Sequence, residues 1–129
     1  MRRFLPIIFG SLLLAACSQT TSLTPNNNRT YVIFFPFASS ELDDAAMTTI
    51  NQAVKYAKSF PEKQVYVEGY AAVYGDMSLD EMMASQRTQA VAQQIVTDGV
   101  DKVRVHDSAQ PPANQADQVA ARRVEIEVK

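Results

Sequence analysis

The 129-residue chain is 47% hydrophobic and 20% charged, with 14 acidic against 12 basic side chains, 4 Gly and 6 Pro. That is one ordinary domain's worth of chain, too apolar for a wholly disordered protein and without the glycine period of a fibrous one, so a compact core is expected. A formal charge of −2 offers no basic field for nucleic acid, and one Cys and one His exclude a disulfide framework, a zinc cluster and, unless Cys17 were itself catalytic, a cysteine-histidine nucleophile pair.

Residues 1–16 do not read as part of a globular fold. Arg2 and Arg3 precede the apolar run Phe4 to Leu14, and small residues Ala15 and Ala16 follow. Charged end, apolar middle and small-residue exit make a secretory signal. The run falls well short of the ~20 residues a permanent transmembrane helix needs. Leu14-Ala15-Ala16-Cys17 resembles the bacterial lipobox. The resemblance implies cleavage before Cys17, diacylation of its thiol and usually acylation of the new amino terminus. Two or more acyl chains anchor stably at roughly 0.8 kcal/mol per buried methylene. Ser18 rather than Asp beside the lipidated Cys implies, by the enterobacterial pattern, sorting to the outer membrane, with the domain facing the periplasm. Loss of Arg2 and Arg3 leaves 10 basic against 14 acidic side chains, a formal charge of −4, so the surface should not seek anionic lipid.

Residues 17–29 read as the lipidated Cys and a linker. Ser18 to Arg29 is polar, with Pro25 and three consecutive Asn, and offers nothing to bury. Fully extended it reaches at most ~40 Å. A folded domain is expected over 30–129.

Tyr31-Val32-Ile33-Phe34-Phe35 is β-branched and aromatic, and its unbroken apolar run predicts a strand buried on both faces or at the sheet centre, ending at Pro36. Between Asp43 and Phe60, Met47, Ile50, Val54 and Ala57 recur at helical spacing, with Ser40 or Asp43 able to cap the start and Pro61 closing the end. Val65 and Val67 alternate with Gln64, Tyr66 and Glu68 in a half-buried strand ending at Gly69, and 70–77 reads as a loop around Gly75. Ser78-Leu79-Asp80-Glu81 has the form of a capping box and predicts the start of a second helix. Its inner face would be Met83, Ala84, Thr88, Val91 and Ile95, and Gly99 would end it in a left-handed cap. Val103 and Val105 mark a third strand; Val124, Ile126 and Val128 alternate with charged residues in a fourth. The order βαβαββ argues for an α/β sandwich, two helices packed on one face of a four-stranded mixed sheet with right-handed crossovers.

These residues carry a resemblance to the OmpA-like C-terminal domain, over roughly Tyr31 to Lys129. The family's opening F-D-F-D-S-x-x-L is met by Phe35-Pro36-Phe37-Ala38-Ser39-Ser40-Glu41-Leu42, which keeps both Phe, a Ser and the Leu. Its G-[HY]-T-D-x-x-G is met by Gly69-Tyr70-Ala71-Ala72-Val73-Tyr74-Gly75, which keeps both Gly and the aromatic. Its Y-N-x-x-L-S-x-x-R-A is met by Leu79 to Thr88, which keeps the Arg at Arg87, and R-R-V-E recurs unchanged as Arg122 to Glu125.

The resemblance implies a domain that holds outer-membrane proteins to peptidoglycan. In members that bind the wall, the Asp of the T-D pair and the helix-two Arg clamp the diaminopimelate of the stem peptide. A zwitterion wants an anion and a cation at fixed separation, and guanidinium forks suit carboxylates. Here Arg87 remains but Ala72 stands at the Asp position, Ala71 at the Thr, Ala84 at the Ser and Asp80 at the Asn. Losing the acceptor of such a pair typically costs ~2–5 kcal/mol.

Asp76 or Asp80 could supply a displaced carboxylate, although acids in a first helical turn also simply favour the helix dipole. Arg87 could instead form a fold-holding salt bridge or lie on a solvated face, and Arg122 and Arg123 could be wall contacts or plain solubilising charges. Tyr66, Tyr70 and Tyr74 could line an aromatic patch for a protein partner. Met47, Met77, Met82 and Met83 read as core packing, and His106 has no nucleophile implied nearby.

Two functions are thereby expected, neither enzymatic nor requiring a cofactor. One is a scaffold within an outer-membrane assembly, as OmpA-like lipoproteins are in some type IV and type VI secretion machines. The other is a non-covalent peptidoglycan tether. The missing Asp and Thr, the short linker and the Tyr loop favour the scaffold, because fold alone cannot choose.

Overall fold

In a computed structural model the described residues are 27–70, 77–110 and 121–129. The signal, Cys17, the linker up to residue 26, and Ala72, Tyr74 and Asp76 lie outside them, as do the side chains of Met77 and Ser78.

The chain runs β1 (Arg29–Phe34), α1 (Asp44–Ser59), β2 (Val65–Gly69), α2 (Met77–Thr97), a 3-10 turn (Lys102–Arg104), β3 (Val105–Ala109) and β4 (Arg123–Val128). The strands lie in the order β1-β4-β2-β3, with β4 antiparallel to both neighbours and β2 parallel to β3. This is the expected mixed sheet carrying two helices on one face. The core is the layer between them: Val124, Ile126 and Val128 of β4 and Val65 and Val67 of β2 meet Ile50, Val54 and Ala57 of α1 and Val91 and Ile95 of α2, all buried.

Local chemistry explains the boundaries. Asp43, not Ser40, caps α1: its carboxylate accepts from the Ala46 N–H at 2.8 Å, satisfying a donor that the first turn leaves open. At the end of α2, Gly99 takes φ 106°, the Gly99 N–H bonds Val96 O at 3.0 Å and the Val100 N–H bonds Ile95 O at 3.3 Å. That crossed pair is the predicted left-handed glycine cap.

Four expectations are corrected. Met82 is 52% exposed rather than packed in the core. β1 is an edge strand, not a central or doubly buried one: of its residues Ile33 is buried, whereas Val32 and Phe34 are 38% and 54% exposed. Val32 and Phe34 share the face of the sheet opposite the core that α1 and α2 cover. Val103 does not begin a strand but lies in the 3-10 turn, 77% exposed, because the Asp101 carboxylate accepts from its N–H and tightens the chain there. α2 already includes Met77, so Ser78 falls inside the helix rather than at its boundary, and the Ser78–Glu81 box does not mark the start.

Candidate functional site

The site predicted around Arg87 is built where α2 passes behind the turn after β1. Arg87 is 1% exposed, among the largest fully buried side chains of the protein. Its Nε donates to Ser39 O at 2.7 Å and its Nη2 to Pro36 O at 3.1 Å, while the guanidinium carbon stands 5.3 Å from the Phe35 ring centroid. Both carbonyls belong to one turn, in which the Ser39 N–H also reaches Pro36 O at 3.3 Å and Ala38 takes the left-handed φ of 52°. Two of the five guanidinium N–H donors are thereby taken up by backbone carbonyls. Arg87 is thus not a residue of a solvated face, and its bonds tie it to the turn after β1.

Asp80 is also buried, at 6% exposure, in the first turn of α2. Seven residues separate it from Arg87, two helical turns, so the two share a face about 10 Å apart along the axis. The helix-dipole reading of Asp80 is compatible with its position but does not explain its burial.

Gly69 brings β2 onto the same helix. A Cβ there would lie 1.7 Å from Thr88 Oγ1 and 2.7 Å from Ala84 O, so no larger residue fits this contact. Thr88 in turn donates to Ala84 O at 2.7 Å. The motif glycine therefore sets how closely the site's strand approaches its helix.

Tyr66 and Tyr70 are brought together with Glu68 on the face of the sheet opposite α1 and α2. Tyr66 stacks on His106 at 5.1 Å and lies under Lys129 Nζ at 4.7 Å. The Tyr70 hydroxyl donates to Glu68 Oε2 at 3.1 Å, and Arg123 lies 4.0 Å over its ring. Burial, then the bond to Glu68 and the nearby Glu125 charge, push the Tyr70 hydroxyl above its ordinary pKa, against a smaller opposing pull from Arg123. Both rings are half-buried by charged neighbours, so the bare aromatic patch expected of them is instead a mixed aromatic and charged surface.

The two adjacent arginines are not loose solubilising charges. Arg122 Nε donates to Phe35 O at 3.1 Å while Phe35 N–H returns a bond to Arg122 O at 2.8 Å. Arg123 pairs with Glu125 at 2.9 Å. Sequence reasoning missed Arg104, which donates to Ala57 O, Phe60 O and Lys63 O at 2.8–2.9 Å and so closes the C-terminal end of α1. Among the described residues no group of three or more His, Cys, Asp or Glu side chains could hold a metal ion.

A model described as the OmpA family matches residues 34–125, a stretch that contains α1 to β3 whole, the last residue of β1 and the first half of β4. The chain belongs to the OmpA family. It is 31% identical over 90 residues to the probable lipoprotein YiaD of Escherichia coli (strain K12), a match covering 70% of this chain and 39% of that protein. The chain thus spans about two fifths of the length of this curated relative. Among solved structures it is similar to the peptidoglycan-associated lipoprotein from Burkholderia pseudomallei, with TM-score 0.69, 18% identity, and coverage of 77% of this chain and 90% of that one. It is also similar to the cell wall anchor of the T6SS from Pseudomonas aeruginosa, with TM-score 0.62, 18% identity, and coverage of 78% and 80%. At these identities the likeness to the solved structures shows the OmpA fold alone.

Proposed function

We propose that this OmpA-family domain is a lipid-anchored structural module on the periplasmic side of the outer membrane, working through protein contacts within an envelope-spanning complex such as a type IV secretion assembly. The observation that carries this reading is the burial of Arg87 against the carbonyls of Pro36 and Ser39. A cation committed to its own backbone, with Ala at the partner position in the sequence, makes a poor grip for a zwitterionic stem peptide. Cys17 supplies the anchor in this reading, and the protein turns nothing over.

A second reading, the peptidoglycan tether, is favoured by one observation: Asp80 is buried on the same face of α2 as Arg87. In that reading it replaces the absent Asp as the anion for diaminopimelate, with Arg122 nearby and Tyr70 turned to the opposite face of the sheet.

Sedimentation of the detergent-solubilised full chain with purified sacculi separates the two. The scaffold reading expects the wild type to stay in the supernatant and to copurify from membranes with other envelope proteins, while Ala72→Asp gains wall binding. Wild-type sedimentation that Asp80→Asn abolishes would establish the tether. Cys17→Ser is expected to leave an uncleaved or soluble product; a cleaved form still held in the membrane would remove the lipid anchor from the proposal.

A further inference from the structure

The sheet has two edges, and they are protected differently. β3 carries polar or charged side chains at His106, Asp107 and Ser108, and Asp107 is paired with Val67, on the helix side of the sheet. An inward-pointing charge of this kind blunts an edge against further strands. β1 has no charge from Thr30 to Phe34. The Phe35 N–H bonds Arg122 O, so in the register pairing Phe34 with Arg123 the residues that exchange bonds with β4 are Arg29, Tyr31 and Ile33. By the alternation of an antiparallel ladder, the N–H and C=O of Thr30, Val32 and Phe34 point away from the sheet. These are three donors and three acceptors in a row, beneath the exposed side chains of Val32 and Phe34.

Charge says what fits there. α1 runs beside this edge, and the surface between them, which holds two separate hollows, changes sign along its length. At one end it is lined by Arg29 and Lys55. At the other it is lined by Asp43, with Asp44 and Glu41 exposed alongside. An antiparallel copy of the same edge reverses that order, so each basic end meets an acidic end.

We infer that β1 is a self-association edge, on which a second copy of this chain adds antiparallel about a two-fold axis at Val32. Val32 then pairs with Val32 of the second copy, and Thr30 with Phe34, each pair exchanging both backbone bonds. The result is one continuous sheet through two molecules, closed by symmetry so that no further copy adds at β1. The Arg87 site lies behind the turn that follows the strand and takes no part, so this inference stands apart from the proposed function.

Two variants of the full chain in detergent test it. Proline at position 32 removes an outward donor without breaking a β1–β4 bond. Val32→Pro is therefore expected to halve the sedimenting protein mass with an unchanged circular dichroism spectrum. Paired residues in such a ladder stand ~5.5 Å apart between Cα atoms, within disulfide reach. Val32→Cys is expected to give a reducible dimer in oxidised membranes above the background of the parent chain, which keeps Cys17, while His106→Cys on β3 is not. A monomeric wild type, a Val32→Pro protein that keeps both its fold and its dimer mass, or Val32→Cys cross-links only to a different protein would each overturn the inference. Should Val32→Pro fail to fold, the Val32→Cys cross-link decides.

Discussion

Arg87 Nε donates to the carbonyl of Ser39 at 2.7 Å, tying the middle of α2 to a turn 48 residues earlier in the chain. With Nη2 on Pro36 O, one side chain fixes both ends of the turn that follows β1. Removal of the guanidinium leaves Ser39 O without its 2.7 Å partner while Pro36 O keeps the Ser39 N–H, at roughly 1–3 kcal/mol for a carbonyl that stays unpaired. Arg87→Ala is expected to lower the denaturation midpoint accordingly, and Arg87→Lys to recover only part of the loss because an ammonium cannot reproduce the planar fork. An Arg87→Ala protein as stable as wild type, measured by urea titration, would mean the bonds contribute nothing.

The same turn holds Ala38 at φ 52°, a left-handed conformation that costs an alanine about 1–2 kcal/mol. Arg87 grips the carbonyls on either side of it, so the strain is held in place by the helix rather than relieved. Ala38→Gly removes the steric part and adds chain entropy to the unfolded state. A net gain of about 0.5–1 kcal/mol is expected, read as a rise in thermal midpoint. A loss of stability on Ala38→Gly would show the backbone to be unstrained there.

Gly69 stands against Thr88 and Ala84 with no room for a methyl group. Gly69→Ala is expected to destabilise by about 1–3 kcal/mol or more through overpacking. Thr88→Ala in the same chain should return part of that, since the Oγ1 at 1.7 Å is removed, but not all, since Ala84 O at 2.7 Å is backbone. A double-mutant cycle measures the coupling, and strictly additive effects of the two substitutions would refute the contact.

These contacts mark how far the sequence could be read. α1, α2 and β4 were legible because burial against one layer imposes a period, and Ile50, Val54, Val91, Ile95, Val124, Ile126 and Val128 obey it. Gly99 was legible because a left-handed cap is a local demand. β1 was misplaced because an apolar run does not say whether its second face is covered, and here Val32 and Phe34 lie uncovered. Arg87 was found by its motif, but its fate depended on a turn 48 residues away. Arg104 was missed for the same reason: its acceptors at Lys63, Ala57 and Phe60 are 41 to 47 residues earlier, and no local pattern announces them.

The face of the sheet opposite α1 and α2 carries a pH dependence that follows from Tyr70. Its hydroxyl is held above the ordinary value of 10.0, first by burial and then by the bond to Glu68 and the charge of Glu125. Below that value the proton is present in both folded and unfolded chains, and the contribution to stability is complete. As pH rises past it, the unfolded tyrosine ionises first while the folded one keeps its proton, so protons favour the folded state and their loss favours unfolding. Stability contributed by this group is therefore lost between the ordinary value and the raised folded one. Tyr70→Phe has no proton to lose and is expected to show a shallower fall in unfolding midpoint across the alkaline range. The ion pair of Arg123 with Glu125 and the stacking of Arg123 over the ring should persist, because phenylalanine keeps the aromatic face. If the alkaline slopes of wild type and Tyr70→Phe coincide, the hydroxyl does not titrate late and the bond to Glu68 is not retained in solution.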